Sequence, residues 1–326
     1  MNPSKFGEMS FFYSSESASL PSVIVEVPAT SANCGPGFDC LGVALSLFNR
    51  LELWPAEADE LRAEGEGEVA LQGQSTSLAH RAARAAWEEL GLPPTGFAIS
   101  MRNVVPFARG LGSSSAAIVG GLVAANEWAR AHRGVSLSDA QLLDLATRIE
   151  GHPDNVAPAL KGSFCVCATR EDGKAFALTP QVSQYPRFVV WIPEVELSTE
   201  KARGALPATY SRADCVFNLS RTALLVAALS TGDSEALAES VRDRVHQDYR
   251  APLVPGWDAL NEAARQLGAL GTTLSGAGPT ILFWLGAEAD APAFVTGIEA
   301  VARQQELVGR ALEVTVVGGA RLVEEL

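Results

Sequence analysis

Basic residues are scarce in this chain: 25 Lys and Arg stand against 38 Asp and Glu, a net charge of -13. Nucleic acid and anionic membrane surfaces need a basic face, so neither fits as the principal partner. A small anionic ligand stays open, because a few arginines and backbone amides suffice for a local positive site. Cysteine is sparse and odd in number: Cys34, Cys40, Cys165, Cys167 and Cys215. That usage argues against a disulfide scaffold and predicts a reduced, cytoplasmic chain with the cysteines as small apolar fillers. Cys165 and Cys167 are two residues apart in an apolar SFCVCA run, which puts both on one strand face. The four histidines (His80, His132, His152, His246) do not pair at ligand spacing, and no zinc pattern appears. No apolar run approaches the ~18 residues of a membrane span. The first twenty residues lack a basic start followed by an apolar block and read as a flexible extension rather than a signal peptide.

What is present suits a large globular core. Hydrophobic residues make up 47% and charged residues 19% of 326, enough for one large or two medium domains. Strand character falls at 22–28, 43–54, 96–102, 163–169, 187–193 and 312–318, with two further strands flanking a glycine loop within 271–286. Helical patterns fall at 78–90, 113–132, 137–150, 199–206, 213–230, 234–246, 256–268 and 290–307. Ser136 with Asp139 resembles a capping box for the helix at 137–150, and HPDN after it reads as a tight connector. Gly91 stops the alanine-rich helix before it. Strands and helices mix without strict alternation, which predicts α+β rather than a doubly wound sheet. The clearest composition shift is the charged turn REDGKA at 170–175. It divides the chain into the extension 1–20, an N-terminal domain 21–170 and a C-terminal domain 171–326.

Five segments carry polar residues in patterns that suit chemistry. PFARGLGSSSAAIVGG (106–121) has the small residues of a phosphate-cradling loop without the usual Gly-Lys-Ser/Thr ending. Its glycines let backbone amides approach a ligand, and the following helix adds unpaired N–H groups. It serves equally as a strand-to-helix turn with a serine cap, and a bare glycine loop does not choose between the two. ATSANCGPGFDCLG places Asn33 and Asp39 in a turn-rich loop, where turn chemistry alone explains them. EGHPDN gathers Glu150, Asp154 and Asn155 around a helix end. Two acids and an amide can hold Mg2+ and orient a hydroxyl. An acid at a helix C-terminus is locally unfavourable unless a cation compensates. LSGAGPT (274–280) is either a hairpin turn or a second backbone nest. Arg203 and Arg250 each have the fork that holds a carboxylate, but each taken alone reads first as a surface arginine.

Taken in order, VPATSANCGPGFDCLG, PFARGLGSSSAAIVGG, EGHPDNVAPAL, STEKARGALP and LSGAGPT resemble the galactokinase, homoserine kinase, mevalonate kinase and phosphomevalonate kinase superfamily. Within it the chain is most similar to the homoserine kinases, on SAN-x-GPGFD-x-LG and GHPDNVAP, and the resemblance covers residues 22–320. It implies an N-terminal domain like the second domain of ribosomal protein S5, a ferredoxin-like C-terminal domain and an active site in the cleft between them. It implies ATP-dependent phosphorylation of the L-homoserine hydroxyl, on the threonine pathway, with ATP and Mg2+. Carried over residue by residue, ATP phosphates would meet Pro106, Arg109, Gly110, Leu111, Gly112, Ser113, Ser114 and Ser115, with Gly276 and Gly278 opposite. Ser114 and Glu150 would hold Mg2+. Asn33, Asp39, His152, Thr199, Arg203 and Arg250 would surround the amino acid, and Asp154 and Asn155 would orient its hydroxyl beside Glu150. Arg109 is left between phosphate contact and a solvated role. One departure stands out: the family usually carries Asn-Leu-Ile/Val where this chain has Ser77-Leu78-Ala79, so no adenine contact is carried over to Ser77.

Two rival readings share these motifs. A mevalonate- or sugar-type kinase of the superfamily would leave Asp39 without an ammonium to bind. A non-catalytic ATP-binding protein would not need Glu150, Asp39 and Asp154, all of which are present. A homodimer stays open.

Overall fold

The computed structural model describes residues 22–92 and 96–323. The residues read as an N-terminal extension lie outside that set. The first unit begins with β1 (Val23–Ala32), β2 (Leu41–Pro55) and β3 (Glu60–Gly65). Helices α1 (Glu68–Leu71) and α2 (Leu78–Glu89) follow, then β4 (Phe97–Asn103) and the long α3 (Ser113–Arg133). Helices α4 (Asp139–Glu150) and α5 (Pro153–Lys161) lead to β5 (Phe164–Thr169) and β6 (Ala175–Leu178). The second unit comprises β7 (Arg187–Pro193), α6 (Thr199–Gly204), α7 (Arg212–Thr231), α8 (Ser234–Ser240), α9 (Gln247–Arg250) and α10 (Trp257–Gln266). It closes with β8 (Gly271–Leu274), β9 (Ile281–Leu285), α11 (Ala291–Gln304) and β10 (Gly309–Val314), and β11 (Arg321–Leu322) returns to the first unit.

The first sheet runs β11-β1-β2-β4-β3, with β5 and β6 attached to the near end of β2. Strand β2 is long enough to pair with β5 through Leu41–Val43 and with β4 through Arg50–Pro55. The β1–β2 register slips at Pro28/Ala29, where proline offers no N–H to the ladder. The charged turn at 170–175 joins β5 to β6 within this sheet. The second sheet is antiparallel in the order β10-β7-β9-β8. With helices on the β7–β8 and β9–β10 connections, that is the ferredoxin-like arrangement. Both units therefore mix helix and sheet as α+β.

Packing explains why the polar loops end up together. One core lies under β1, β2 and β4 and is covered by α2, α3, α4 and α5. Small residues let α3 approach both neighbours. A Cβ at Gly120 would sit 3.3 Å from Val27 in the sheet, and one at Gly121 would sit 2.2 Å from the Ala79 carbonyl of α2. A second core is shared between units: Leu41, Leu45 and Phe164 pack with Phe188, Leu225 and Trp284. The walls of the intervening cleft are thus joined by a common apolar floor. A third core lies on the far side of the second sheet, beneath α10 and α11.

Several sequence expectations are corrected. Helix α4 starts at Asp139, and its capping box is Ser138 with Gln141, not Ser136 with Asp139. Leu137 is held on both backbone polar groups by the Asn126 amide, at 2.6 and 3.3 Å, which keeps it out of the helix. HPDN is not only a connector: Pro153 and Asp154 open α5, proline being compatible with a first helical turn. The expected helix at 234–246 stops at Ser240, and a separate turn, α9, carries Arg250. Helix α7 meets the length and composition of a membrane span although no such run was expected, and it is the one such helix among the described residues. Its buried stripe, Leu225, Ala228 and Leu229, faces the shared core. All five cysteines are free, and burial pushes Cys40 and Cys165 up to about 11.

Candidate active site

The cleft holds a cavity of ≈ 480 Å³ bounded by both glycine loops, α3, the α4–α5 junction and α6. The first loop is held open by two left-handed glycines, Gly110 (φ 76°) and Gly112 (φ 71°). A Cβ at Gly110 would lie 2.3 Å from the Ser275 carbonyl, and one at Gly112 only 2.0 Å from Thr30 Oγ1. Gly112 gives α3 no side-chain cap, and among the described residues the amides of its first turn have no side-chain acceptor. That is the arrangement in which a helix start receives an anion. The second loop locks onto the first. Ser275 Oγ donates to the Gly110 carbonyl at 2.7 Å, and the Thr280 amide donates to the Arg109 carbonyl at 3.3 Å.

Four polar contacts build the wall made by α3, α4 and α5. Glu150, the last residue of α4, accepts the Ser114 hydroxyl at 2.7 Å and the Ser115 hydroxyl at 3.0 Å. Among the described residues no cation lies within ion-pair distance of Glu150, although it sits at the negative end of a helix. His152 Nδ1 is 2.5 Å from Asp154 Oδ1, and Asp154 is 1% exposed. Burial alone would lower the His152 pKa, but its bond to Asp154 and the charges of Asp154, Glu150 and Asp39 outweigh that and hold it above the ordinary value. Thr30 Oγ1 donates to Asn155 Oδ1 at 2.8 Å, which turns the Asn155 amide nitrogen away from that bond.

The opposite wall carries the charges suited to an amino acid. Arg203 makes a two-pronged ion pair with Asp39, at 2.8 and 3.1 Å, and both line the cavity. The bond to Asp39 outweighs partial burial and raises the Arg203 pKa. Arg250 is 2% exposed and has only neutral acceptors: the carbonyls of Ala202 (3.2 Å) and Gly276 (3.4 Å) and His246 Nδ1 (3.3 Å). Among the described residues no carboxylate lies within ion-pair distance of it, and burial followed by the charge of Arg203 pushes its pKa down. Both guanidiniums lie over the Phe38 ring, at 5.6 and 5.2 Å. Asn33, left-handed at φ 69°, spends its amide inside the protein, donating to the Gly276 carbonyl at 2.7 Å and accepting from the Asp39 amide at 3.0 Å.

The cavity wall thus collects Asn33, Asp39, Glu150, His152, Asp154, Asn155, Thr199, Arg203 and Arg250, together with Arg109, Gly110, Gly112, Ser113, Ser114, Gly276 and Gly278. Three expected contacts are not on it. Pro106 borders a separate surface hollow, Leu111 is fully buried in the shared core, and Ser115 is fully buried under Glu150. Arg109 lines the cavity but aims its guanidinium elsewhere, donating to the carbonyls of Phe107, Pro193 and Glu194. It ties the loop to β7 and the chain after it. Sequence reading missed Thr30, Phe38 and His246. Phe38 stood beside Asp39 in GPGFD, and His246 stood four residues before Arg250 in HQDYR, a spacing that brings side chains together on a helical turn. The far end of the cavity is apolar, walled by Leu71, Leu78, Met101 and Phe107, with Ser77 among them. The Ser77 hydroxyl lies 3.3 Å from His80 Nδ1.

A two-domain α+β frame with paired glycine loops over an acid-lined cleft defines a class before it defines a protein. The sequence profile described as GHMP kinases N terminal domain matches residues 77–163, and that described as GHMP kinases C terminal matches residues 225–303. A homoserine kinase of Desulfitobacterium hafniense is 48% identical over 262 residues, 80% of this chain and 86% of its own length. One from Synechococcus sp. is 47% identical over 264 residues, 80% and 84% of the two chains. The crystal structure of homoserine kinase from Cytophaga hutchinsonii superposes with a TM-score of 0.80 at 26% identity, covering 96% of this chain and 100% of that one. The chain belongs to the GHMP kinases and, within them, to the homoserine kinase family.

Proposed function

We propose that the chain transfers the γ-phosphoryl group of ATP to the side-chain hydroxyl of L-homoserine, giving ADP and O-phospho-L-homoserine in threonine biosynthesis. The observation that carries this reading is the pairing of charges on one cavity wall. Homoserine is a zwitterion with a terminal hydroxyl. Arg250 is a buried guanidinium without a carboxylate partner among the described residues, and the Asp39–Arg203 pair beside it offers one charge of each sign. On entering, the substrate carboxylate takes Arg250 and Arg203, and its ammonium takes Asp39, replacing a protein ion pair by two substrate ones. A substrate lacking the ammonium leaves Asp39 without that exchange. Thr199, His152 and Asn33 close the site around it.

The opposite wall suits the nucleotide. First-turn amides of α3 and the nests at Gly110, Gly112, Gly276 and Gly278 supply fixed donors for phosphate oxygens, which replaces the charge of a P-loop lysine. Ser114 and Glu150 present hard oxygen donors 2.7 Å apart. Mg2+ commonly takes one or two protein oxygens and completes its shell with phosphates and water, so this pair fits it. When bound, the ion supplies charge neutralisation at the phosphates. The chain itself positions: Asp154 is fixed by His152, Asn155 is fixed by Thr30, and both face the cavity where the hydroxyl enters. Phosphoryl transfer rests on such in-line positioning, so this reading assigns no dedicated base.

A coupled ADP-release assay across homoserine, mevalonate, galactose and threonine tests the proposal. Turnover on homoserine alone, or far above the others, is expected; turnover on another of them without homoserine would overturn it. We further propose that the enzyme is cytoplasmic and pairs with a second copy of itself through α7. The face of that helix bearing Val216 and Leu219, 59% and 71% exposed, carries no charge between Val216 and Ala227 apart from the flank held by Arg221. Antiparallel packing against a second copy would bring exposed Arg212 of one chain towards Asp233 and Glu235 of the other. Light scattering on Leu219→Asp should show a monomer where the parent is a dimer; a parent that is already monomeric would refute the assignment.

A further inference from the structure

Arg250 alone does not fix where its N–H groups point. With its bonds to two carbonyls at 3.2 and 3.4 Å alone, the guanidinium could swing, and each reorientation would misplace the substrate carboxylate. The remaining support is His246, which is fully buried and outside the cavity lining. Its Nε2 lies 2.7 Å from the Gly35 carbonyl. A carbonyl only accepts, so Nε2 carries the proton. In the neutral ring Nδ1 is then an acceptor, and Arg250 Nη1, 3.3 Å away, donates to it. Burial first, with the charge of Arg250 adding to it, holds the ring neutral against the opposing pull of Asp243 and Asp39.

The turn that carries both side chains is itself pinned. Asp243 is buried, and its carboxylate accepts the amides of Val245 (3.1 Å), His246 (2.8 Å) and Gln247 (2.7 Å) and the Asn218 side chain (2.6 Å). Gln247 Oε1 accepts the Leu274 amide at 2.7 Å, which fastens α9 to β8. Phe38 packs its ring 5.4 Å from the imidazole and 5.2 Å from the Arg250 guanidinium carbon. A relay thus runs from the Gly35 loop through His246 to Arg250.

We propose that His246 is a positioning residue for the substrate carboxylate: it accepts a hydrogen bond from Arg250 and donates one to Gly35, so that the guanidinium keeps its free N–H groups on the cavity. It does not touch substrate. This rests on the assignment of Arg250 to the carboxylate made above.

The test compares His246→Ala, His246→Gln and Arg250→Met on two substrates, L-homoserine and 3-aminopropan-1-ol, which lacks the carboxylate. His246→Ala should raise KM for homoserine about tenfold to a hundredfold, the loss of one bond to a charged group, while kcat and KM for ATP move by less than about threefold. Its kcat/KM for 3-aminopropan-1-ol should equal that of the parent. His246→Gln should recover most of the loss, since one amide can both donate to Gly35 and accept from Arg250. Equal losses on both substrates, or no loss on homoserine, would overturn the proposal. If Arg250→Met raises KM for homoserine and His246→Ala does not, the relay fails and the role of Arg250 stands. If Arg250→Met leaves KM unchanged, the assignment of Arg250 fails first. Nitrogen NMR of the parent chain, labelled at histidine, needs no variant. It should show His246 neutral with the proton on Nε2 at neutral pH, and a proton on Nδ1 would overturn the relay.

Discussion

Replacing Arg250 by methionine separates what that residue does for substrate from what it does for the fold. In the unliganded chain the guanidinium is 2% exposed and meets three neutral acceptors at 3.2–3.4 Å. Each such bond to a charged group contributes about 1.5–3 kcal/mol, and taking the charge out of water costs about several kcal/mol, so the two offset one another. Methionine fills much of the same volume without the charge and packs well against Phe38. The expected change in stability is within about 1 kcal/mol of zero in either direction, or roughly 2–4 °C in Tm. Binding should behave differently, because in the proposed binding mode the substrate carboxylate is buried against Arg250 and would lose its charge partner. Breaking a buried pair costs about 3 kcal/mol or more, which is on the order of a hundredfold weaker binding. Calorimetric titration with homoserine and thermal unfolding of the same preparation measure the two quantities side by side. A variant that loses about 8 °C or more in Tm while its homoserine affinity stays put would refute the reasoning and make Arg250 a structural residue.

Three further outcomes follow from the geometry. Glu150→Gln removes the carboxylate that accepts the Ser114 and Ser115 hydroxyls, and should lower kcat about a hundredfold and weaken the dependence on Mg2+; an Mg2+ titration curve identical to the parent's would remove Glu150 from the metal site. Gly112→Ala forces a left-handed residue with its Cβ 2.0 Å from Thr30 Oγ1, costing about 1–2 kcal/mol in backbone strain and disturbing the Thr30–Asn155 bond; urea unfolding and turnover both at parental values would contradict it. The lowered pKa of His246 means that the fold favours its neutral form. Its contribution is complete above the ordinary value of 6.5 and is lost as pH falls from there towards the lowered value, because the unfolded chain protonates first. Unfolding free energies measured from pH 8 to pH 5 should therefore fall more steeply in the parent than in His246→Gln, and parallel slopes would show that another group sets the acid limb.

Much of the candidate site was visible in short stretches of sequence because those stretches are local devices. A glycine at a left-handed position, a serine run at a helix start and an acid at a helix end each announce a backbone conformation or an exposed polar group wherever they fold. Glu150 and Ser114 were therefore nameable one by one, as was the two-strand hairpin around LSGAGPT. The helix at 113–132 was legible from its small residues, and α3 runs to Arg133. The places where sequence reading slipped are those where a distant partner overrode local preference. Leu137 looked helical until the Asn126 amide held its backbone, which moved the cap from Ser136 to Ser138. Arg109 stood between phosphate contact and solvent, and in the fold three distant or neighbouring carbonyls hold its guanidinium.

The chain alone therefore determined the inventory: a net charge of -13, an α+β pattern, two glycine loops, and the acids and arginines that could serve a charged substrate. Tertiary structure decided which of them meet. Asp39 and Arg203 are joined by an ion pair across 164 positions of chain, and Thr30 and Asn155 by a hydrogen bond across 125. Nothing in local propensity encodes such contacts. They exist because the Leu41–Phe164–Trp284 core fuses the two units and fixes the cleft above it. The same packing that hides His246 leaves Arg250 with no carboxylate within ion-pair distance among the described residues, and the proposed carboxylate site rests on that unmatched charge.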